Sequence, residues 1–506
     1  MRSANGNTMI KKKYDLVVIG SGPAGEKAAV KAAYFQKRVA IIEKEPGRFG
    51  GAGVHTGTVP SKTLKETAIY FSGKYDKGLY GVEKALQHEA SAQEFLFRKN
   101  QVISAQNDEV HRNLQMHRVD IYQGVASFED AHTVQVQGKD EALLYTQFVL
   151  VATGSYPFHP ENIPFDAGSV YDSDSILEIE KFPRSICIIG AGVIGCEYAT
   201  IFATMGAQVC LVNGSDEILR FLDKDITFEL VSQMRKAGVQ TFFNLRVDKV
   251  ERIGSEGVRT TLSSGEEVET DIFLYAAGRQ GALQGLNLDK VGVAVGKREA
   301  IEVDGCYRTN VNNIFAVGDV IGFPALASTG MDQGRIAVAH MFGLHDVETL
   351  TRLLPYGIYT VPEISMVGLT EEDAKKEGIS CCVGYSRYQD MTRGQIMGFK
   401  EGFMKILFNK EDQVIIGVHI IGPIASELIH FGMMLVQRQE TLSDVINYVF
   451  NYPTLHDLYK YACYDGFGAL SGHKVKDPVM HPQPNNEYKR EDREESEENT
   501  KDGGHC

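Results

Sequence analysis

The sequence predicts an α/β fold of two nested strand–turn–helix domains followed by an α+β domain. Three observations lead there. Ile19-Gly20-Ser21-Gly22-Pro23-Ala24-Gly25-Glu26 recurs 170 residues later as Ile189-Gly190-Ala191-Gly192-Val193-Ile194-Gly195-Cys196-Glu197. A further strand, Asn313-Ile314-Phe315-Ala316-Val317, ends in Gly318-Asp319 beyond the second copy and is assigned back to the first, which makes the first domain discontinuous. From Gly357 onward the pattern changes to alternating strands and helices of a separate α+β unit.

Each glycine turn follows an apolar run, Leu16 to Ile19 or Ile186 to Ile189, and opens onto an alanine-containing helical stretch. That is the Rossmann-type dinucleotide cradle. Gly20 and Gly190 make the turn, Gly22 and Gly192 let backbone N–H groups approach a pyrophosphate, and Gly25 and Gly195 let helix pack on strand. The phosphates are left at a helix N-terminus.

The second strand of each unit ends 18 positions beyond its third glycine, in Glu43 and in Asn213. An acid there accepts hydrogen bonds from an adenosine ribose diol and repels a 2′-phosphate. Glu43 therefore marks a nucleotide with free ribose hydroxyls, such as FAD or NAD. Neutral Asn213 avoids the like-charge penalty of roughly several kcal/mol, so its site admits NADP as well as NAD. Arg220, seven residues on, is either a phosphate partner or an ordinary surface arginine.

The first domain is expected over 14–159 and 286–355, the second over 160–285 and the third over 356–472. The first contains a helical stretch from Pro60 to Gln106 and closes its strand at Phe148 to Ser155, after which Pro157, Pro160 and Pro164 punctuate a connection. The second closes on Leu274-Tyr275-Ala276-Ala277-Gly278-Arg279. Asp319 is placed to bond a ribityl chain or a pyrophosphate-linked diol. In the third, strands are expected at Met404 to Phe408 and Val414 to Ile421, and helices at Ser426 to Gln437 and Leu455 to Leu470.

The chain has 506 residues, 43% of them apolar, which suffices for about three packed domains. No apolar run reaches the ~20 residues that span a bilayer, and the polar start has no signal-type core, so no membrane partner and a cytoplasmic location are expected. Residues 1–13 and the acidic stretch 473–506 are read as disordered ends. Lys plus Arg number 52 against 66 Asp plus Glu, a balance that argues against nucleic acid. The eight cysteines show no CxxC or metal-ligand spacing, so no metal is expected and a reducing compartment fits.

Glu43 through Lys62, the Ala152-Thr153-Gly154 turn, the second cradle, Gly318-Asp319 and Thr360-Val361-Pro362-Glu363 resemble the FAD-dependent pyridine nucleotide-disulfide oxidoreductases across residues 14–472. The resemblance implies FAD in the first domain, a nicotinamide coenzyme in the second, and a homodimer or higher homo-oligomer formed through the third. Disulfide-reducing members carry Gly-Gly-Thr-Cys-x-x-x-x-Cys-x-Pro-x-Lys. Here the segment reads Gly50-Gly51-Ala52-Gly53-Val54-His55-Thr56-Gly57-Thr58-Val59-Pro60-Ser61-Lys62, with Gly53 and Thr58 in place of the thiols, and neither can form a mixed disulfide. The family's His-Pro-Thr-x-x-Glu base motif reads Tyr452-Pro453-Thr454-Leu455-His456-Asp457. Phenols ionise near pH ~10 and are poor bases at neutrality. Thiols and base are lost together, as expected where the disulfide half-reaction has been abandoned.

Within the family, the runs His55 to Lys62, Tyr171 to Leu177, Gly190 to Tyr198, Asn213 and Tyr452-Pro453-Thr454 are similar to the soluble, Si-specific pyridine nucleotide transhydrogenases. Members of that branch usually keep a cysteine where Gly53 stands, a departure that leaves a mechanism without a dithiol intact. The resemblance implies ping-pong hydride transfer between NADPH and NAD, in which one reduced coenzyme passes hydride to the flavin and leaves oxidised, and the other coenzyme enters the same pocket and takes the hydride out. It implies Lys62 and Glu197 as the catalytic ion pair beside the flavin. Lys44, Gly51, Ala52, Gly124, Gly154, Gly318, Asp319 and Ala327 are implied contacts of the FAD, and Ala277, Gly278 and Arg279 of the nicotinamide coenzyme. The alternatives are an NAD(P)H dehydrogenase or diaphorase passing electrons to a quinone or other diffusible acceptor, and a flavin-bound redox sensor.

Overall fold

The computed structural model describes residues 10–75, 79, 90–254, 257–344, 349–351 and 353–472. The chain divides into two compact units, Met1–Ile218 with Gly238–Arg352, and Leu219–Ala237 with Leu353–Cys506.

The first unit opens with β1 (Ile10–Ile19), α1 (Pro23–Tyr34), β2 (Val39–Glu43), the short α2 (Gly51–His55), α3 (Thr58–Ser72) and α4 (Ala92–Met116). β3 (Asp120–Asp130), β4 (Thr133–Gly138) and β5 (Ala142–Val151) follow. β1 lies parallel between β2 and β5, and β3, β4 and β5 form an antiparallel meander. Val17 and Ile19 face a core shared with the meander, while Leu16 and Val18 face the helices. A parallel strand covered on both faces has no polar side, which is why this stretch reads as a continuous apolar run.

β6 (Ser155–Pro157) leads into β7 (Val170–Asp172), β8 (Ser185–Ile189), α5 (Val193–Thr204) and β9 (Gln208–Asn213). Next comes α6 (Lys224–Lys236), which belongs to the second unit, and then β10 (Gln240–Phe243) back in the first. An antiparallel sheet of β11 (Val247–Ile253), β12 (Gly257–Leu262) and β13 (Glu267–Thr270) precedes β14 (Ile272–Tyr275). The second sheet is parallel, in the order β10-β9-β8-β14-β7. β15 (Arg279–Gly281) pairs antiparallel with β6, so the ways into and out of this region run side by side.

After the one-turn α7 (Leu288–Val291), β16 (Ile314–Ala316) adds parallel to β5 in the first sheet, and α8 (Ala327–Phe342) packs on α1. Thus the strand ending before Gly318-Asp319 lies in the sheet that begins with β1. Small residues set the α1–α8 spacing: a methyl at Gly334 would overlap the Ala24 carbonyl oxygen.

The second unit is α+β. β17 (Tyr356–Ile358), β18 (Ile364–Gly368), α9 (Glu371–Lys376), β19 (Cys381–Arg387), α10 (Thr392–Met397), β20 (Phe403–Asn409) and β21 (Ile415–Ile421) precede α11 (Ala425–Arg438), α12 (Leu442–Asn447) and α13 (Asp457–Ser471). The antiparallel sheet runs β17-β18-β21-β20-β19. Lys405, 1% exposed on β20, ties α6 to this sheet through Asp223 at 2.8 Å and Asp225 at 2.7 Å, and also meets Glu371.

Two expectations change. Residues 10–13 are not disordered: Ile10 to Lys13 pair with Ala142 to Tyr145 as the start of β1. The backbone ladder holds them while their side chains stay in water, so polarity alone gave no sign of it. The helical stretch expected from Pro60 to Gln106 is divided between two helices: α3 ends at Ser72, where Gly73 takes a left-handed C-cap at φ 59°. α4 starts afresh behind a Ser91/Glu94 capping box, in which each side chain satisfies the other's backbone N–H. The remaining expected terminal disorder, 1–9 and 473–506, lies outside the described residues.

Candidate functional site

The two glycine turns are built alike down to their hydrogen bonds. Gly20 N–H donates to Ile42 at 2.9 Å and Gly190 N–H to Val212 at 2.8 Å. Ala152 N–H and Ala276 N–H donate to Ile19 and Ile189, both at 2.8 Å. Gly20 and Gly190 sit at φ 105° and 99°, which side chains rarely adopt. A methyl at Gly25 or Gly195 would overlap the carbonyl oxygen of Gly20 or Gly190, so the helix can approach its strand only through glycine.

The residue that ends each second strand reaches back to its own turn. Glu43 accepts from the Ser21 N–H at 3.2 Å and hydroxyl at 2.5 Å, and from Glu45 N–H at 3.1 Å. Asn213 accepts from Ala191 N–H at 3.2 Å. Its amide donates to the carbonyls of Ser215 and Glu217 and to the Ser215 hydroxyl, each at 3.0 Å. Asn213 is thus a loop organiser as well as a neutral residue, a role that spacing alone did not indicate.

No side chain caps α1, α5 or α8, so the first-turn N–H groups of all three are left for another partner. Gly192 has no atom within 4 Å of where a Cβ would stand, and the Thr153 hydroxyl beside Gly20 is buried without a partner. Uncapped helix starts with open glycines and an orphaned hydroxyl fit the phosphates and diols of a bound dinucleotide.

Around the first turn, Gly51 lies directly on Gly22, with a methyl on it 2.8 Å from the Gly22 Cα, and Ala52 follows on α2. Gly318 stands at the end of β16 and donates to the Gln333 amide oxygen at 2.8 Å. Ala327 opens α8, three residues before Gly330, whose Cβ would lie 3.5 Å from the Gly318 Cα. Lys44 is exposed beyond Glu43. Gly154, at φ 74°, has open space around it. Gly124 is buried between strands, where a methyl would stand 2.7 Å from the Gln137 carbonyl oxygen, so strand packing alone demands glycine.

α3 and α5 bring Lys62 and Glu197 together. Lys62 Nζ lies 2.9 Å from both Glu197 oxygens, and the Ser61 hydroxyl donates to Glu197 at 3.3 Å. The Glu197 side chain is 4% exposed and that of Lys62 25%. Burial, with the Glu197 charge beside them, pushes the Cys196 thiol and the Tyr198 phenol up, which keeps both protonated.

Arg279, on β15, donates to the Ser155 hydroxyl at 3.0 Å and carbonyl at 2.8 Å, and pairs with Asp174 at 2.8 Å. Ser155 in turn donates to Asp319 at 3.0 Å. The ribbon between the two sheets therefore links Asp319 to Asp174. Ser155 escaped the sequence reading, although its place after the Ala-Thr-Gly turn was a usable signal. Ala277 is exposed and lies against Gly190, and Gly278 has open space around it. Arg220 is exposed and falls in the second unit.

No sulfur stands at the head of α3, which Thr58 opens, or in the middle of α2, where Gly53 lies. The described cysteines are all free thiols, and burial pushes Cys187 and Cys463 up to about 12. In the second unit Tyr452 is exposed and shares a 2.7 Å hydrogen bond with Thr392. Burial lowers the basicity of His456 against the opposing charge of Asp457. Among the described residues no group of three or more His, Cys, Asp or Glu could hold a metal ion, and no helix is long and apolar enough to cross a membrane.

Residues 14–334 match the family model described as pyridine nucleotide-disulphide oxidoreductase, and residues 354–463 match its dimerisation domain. The chain is 41% identical over 458 residues to the soluble pyridine nucleotide transhydrogenase of Mycobacterium bovis (BCG Pasteur), covering 90% of this chain and 97% of that protein. It is 40% identical over 467 residues to the protein of the same name from Marinomonas sp. MWYL1, covering 91% and 100%. Among solved structures, LpdA of Mycobacterium tuberculosis superposes with a TM-score of 0.82 at 27% identity, over 89% of this chain and 99% of that one. The Cu(II) complex of the HOCl-induced flavoprotein disulfide reductase RclA from Escherichia coli does so at 0.80 and 26%, over 90% and 99%.

Proposed function

Because the chain belongs to the pyridine nucleotide-disulphide oxidoreductase family, we propose that it is an FAD-dependent transhydrogenase moving hydride between NADPH and NAD without a redox-active disulfide. The observation that carries this reading is the pairing of two intact dinucleotide cradles with Gly53 and Thr58 where disulfide-reducing relatives keep their thiols. Kinship of 40–41% over nearly the whole length of proteins named soluble pyridine nucleotide transhydrogenase supports it.

FAD, when bound, supplies a two-electron carrier that accepts hydride from one nicotinamide and releases it to another. Gly20, Gly22, Gly25, Gly51 and Ala52 would hold its phosphates against the start of α1. Glu43, with Lys44 beside it, would take the adenosine diol, Gly124 the adenine side, and Gly154, Gly318, Asp319 and Ala327 the ribityl side. Gly190, Gly192 and Gly195 would hold either nicotinamide coenzyme at the start of α5, with Asn213 leaving room for a 2′-phosphate. Ala277, Gly278 and Arg279 would shape the nicotinamide end, and Arg220 stays a phosphate candidate.

Lys62 is assigned the catalytic positive charge, and Glu197 holds it in place. A fixed ammonium favours negative charge developing nearby, and one anchored to a buried carboxylate needs no rearrangement to do so. A homodimer formed through residues 354–463 in the cytoplasm completes the reading.

Stopped-flow absorbance tests it. The flavin is reduced with NADPH, freed of NADP, and mixed with NAD; reoxidation at turnover-relevant rates is the expected result. Reoxidation by a quinone but not by NAD would assign the chain to the diaphorases instead.

A further inference from the structure

We propose that Arg246 reads the 2′-phosphate of NADP at the second cradle. This deepens the hydride-exchange reading by naming the group that makes the site accept a phosphorylated ribose.

Neutrality at Asn213 removes a repulsion but supplies no attraction. The loop that follows carries exposed Asp216 and Glu217, which oppose an added dianion. A 2′-phosphate at the end of the second strand therefore needs a cation close by, usually an arginine.

The loop after β10 supplies one. Leu245 N–H donates to Asn213 at 3.1 Å and Asn244 N–H to Ser215 at 3.3 Å, which ties this loop to the Asn213 loop. Arg246 is pinned through its own backbone, its N–H donating to the Ser263 hydroxyl at 3.1 Å and its carbonyl accepting from Ser263 N–H at 2.9 Å. Its stem lies against Gly214, the Arg246 Cγ being 3.9 Å from where a Cβ on that glycine would stand. The glycine leaves room for an arginine to rise beside Asn213.

What singles Arg246 out is that its charge is unspent. In the same region Arg184 holds Asp271, Lys249 holds Glu251, Arg252 holds Asp166, Arg259 holds Glu267 and Glu269, and Arg279 holds Asp174. Arg246 is exposed and its guanidinium makes no ion pair or hydrogen bond among the described residues. A guanidinium presents a planar fork matched to two phosphate oxygens.

The test is equilibrium binding of adenosine 2′,5′-bisphosphate and of 5′-AMP to the FAD-loaded protein, by calorimetry, with stopped-flow flavin reduction by NADPH and NADH beside it. Arg246→Met should weaken the bisphosphate about tenfold and leave 5′-AMP unchanged. Arg246→Lys should recover part of that loss, and an unchanged flavin spectrum certifies the fold. Equal losses for both ligands, or no loss for either, would overturn the assignment. Because binding needs no hydride transfer, a selective loss upholds Arg246 even if NADPH fails to reduce NAD.

Discussion

Removing Lys62 should cost more stability than removing the charge of its partner, and the second change should repair the first. Lys62→Met leaves the Glu197 carboxylate, 4% exposed, without the ammonium 2.9 Å from both its oxygens. Breaking a buried pair from one side costs about 3–5 kcal/mol, because a charge is stranded away from water. Glu197→Gln strands the lysine instead, but that side chain is 25% exposed, and the amide oxygen still accepts from it. The cost then falls to about 1–2 kcal/mol, that of a weakened hydrogen bond. In Lys62→Met/Glu197→Gln the stranded charge is gone, so the double variant should be more stable than Lys62→Met alone. Urea unfolding followed by far-ultraviolet circular dichroism measures all three. Additive losses, with the double variant the least stable, would refute the view that the pair is held by mutual neutralisation across α3 and α5.

Gly195→Ala should abolish reduction by either coenzyme and leave a normal flavin spectrum, whereas Gly25→Ala should give protein without flavin, since each methyl overlaps a carbonyl in one turn only. Asn213→Glu loses the amide donors to Ser215 and Glu217 and so weakens both coenzymes, but like-charge repulsion should raise the KM for NADPH about tenfold more than that for NADH. His419 is fully buried on β21 with Nε2 2.9 Å from the Leu369 carbonyl; burial holds its basicity down, helped by the Lys405 charge and opposed by Asp223. Its folded value is depressed, so its contribution is present above the ordinary value of ~6.5 and lost as pH falls through the lowered one. His419→Gln should therefore flatten the loss of stability between about pH 7 and 5, read by urea midpoints; an unchanged slope would remove His419 from the acid response.

Both cradles were legible because their chemistry is local. A turn at φ near 100° and a helix pressed onto its strand each demand glycine at fixed spacing, so Gly20, Gly25, Gly190 and Gly195 announce themselves. The pairing of Lys62 with Glu197 came from family resemblance, since no local pattern links residues on two helices 135 positions apart. Three features left no periodic trace. Ile10 to Lys13 join a sheet through backbone bonds that are indifferent to their exposed side chains. The ribbon from Asp174 through Arg279 and Ser155 to Asp319 depends on strands meeting from distant parts of the chain. The buried Lys405 reads in sequence as an ordinary charged residue of a strand, and its carboxylates come from α6 and α9.

Asn213 shows how residue type and spacing can identify a position while leaving its work unspecified. Its Nδ2 spends its donors within the loop, and Oδ1 accepts from Ala191 as Glu43 accepts from Ser21 in the other turn. What separates the two sites is then the missing charge rather than a new contact, since either residue can tether its turn. A site that discriminates by omission cannot favour a phosphorylated ribose over a bare one, so any preference for the phosphate requires a cation outside the fingerprint, the part proposed for Arg246. On that proposal the adenosine end of the second cradle is a composite of two loops, with acceptance set after β9 and attraction after β10.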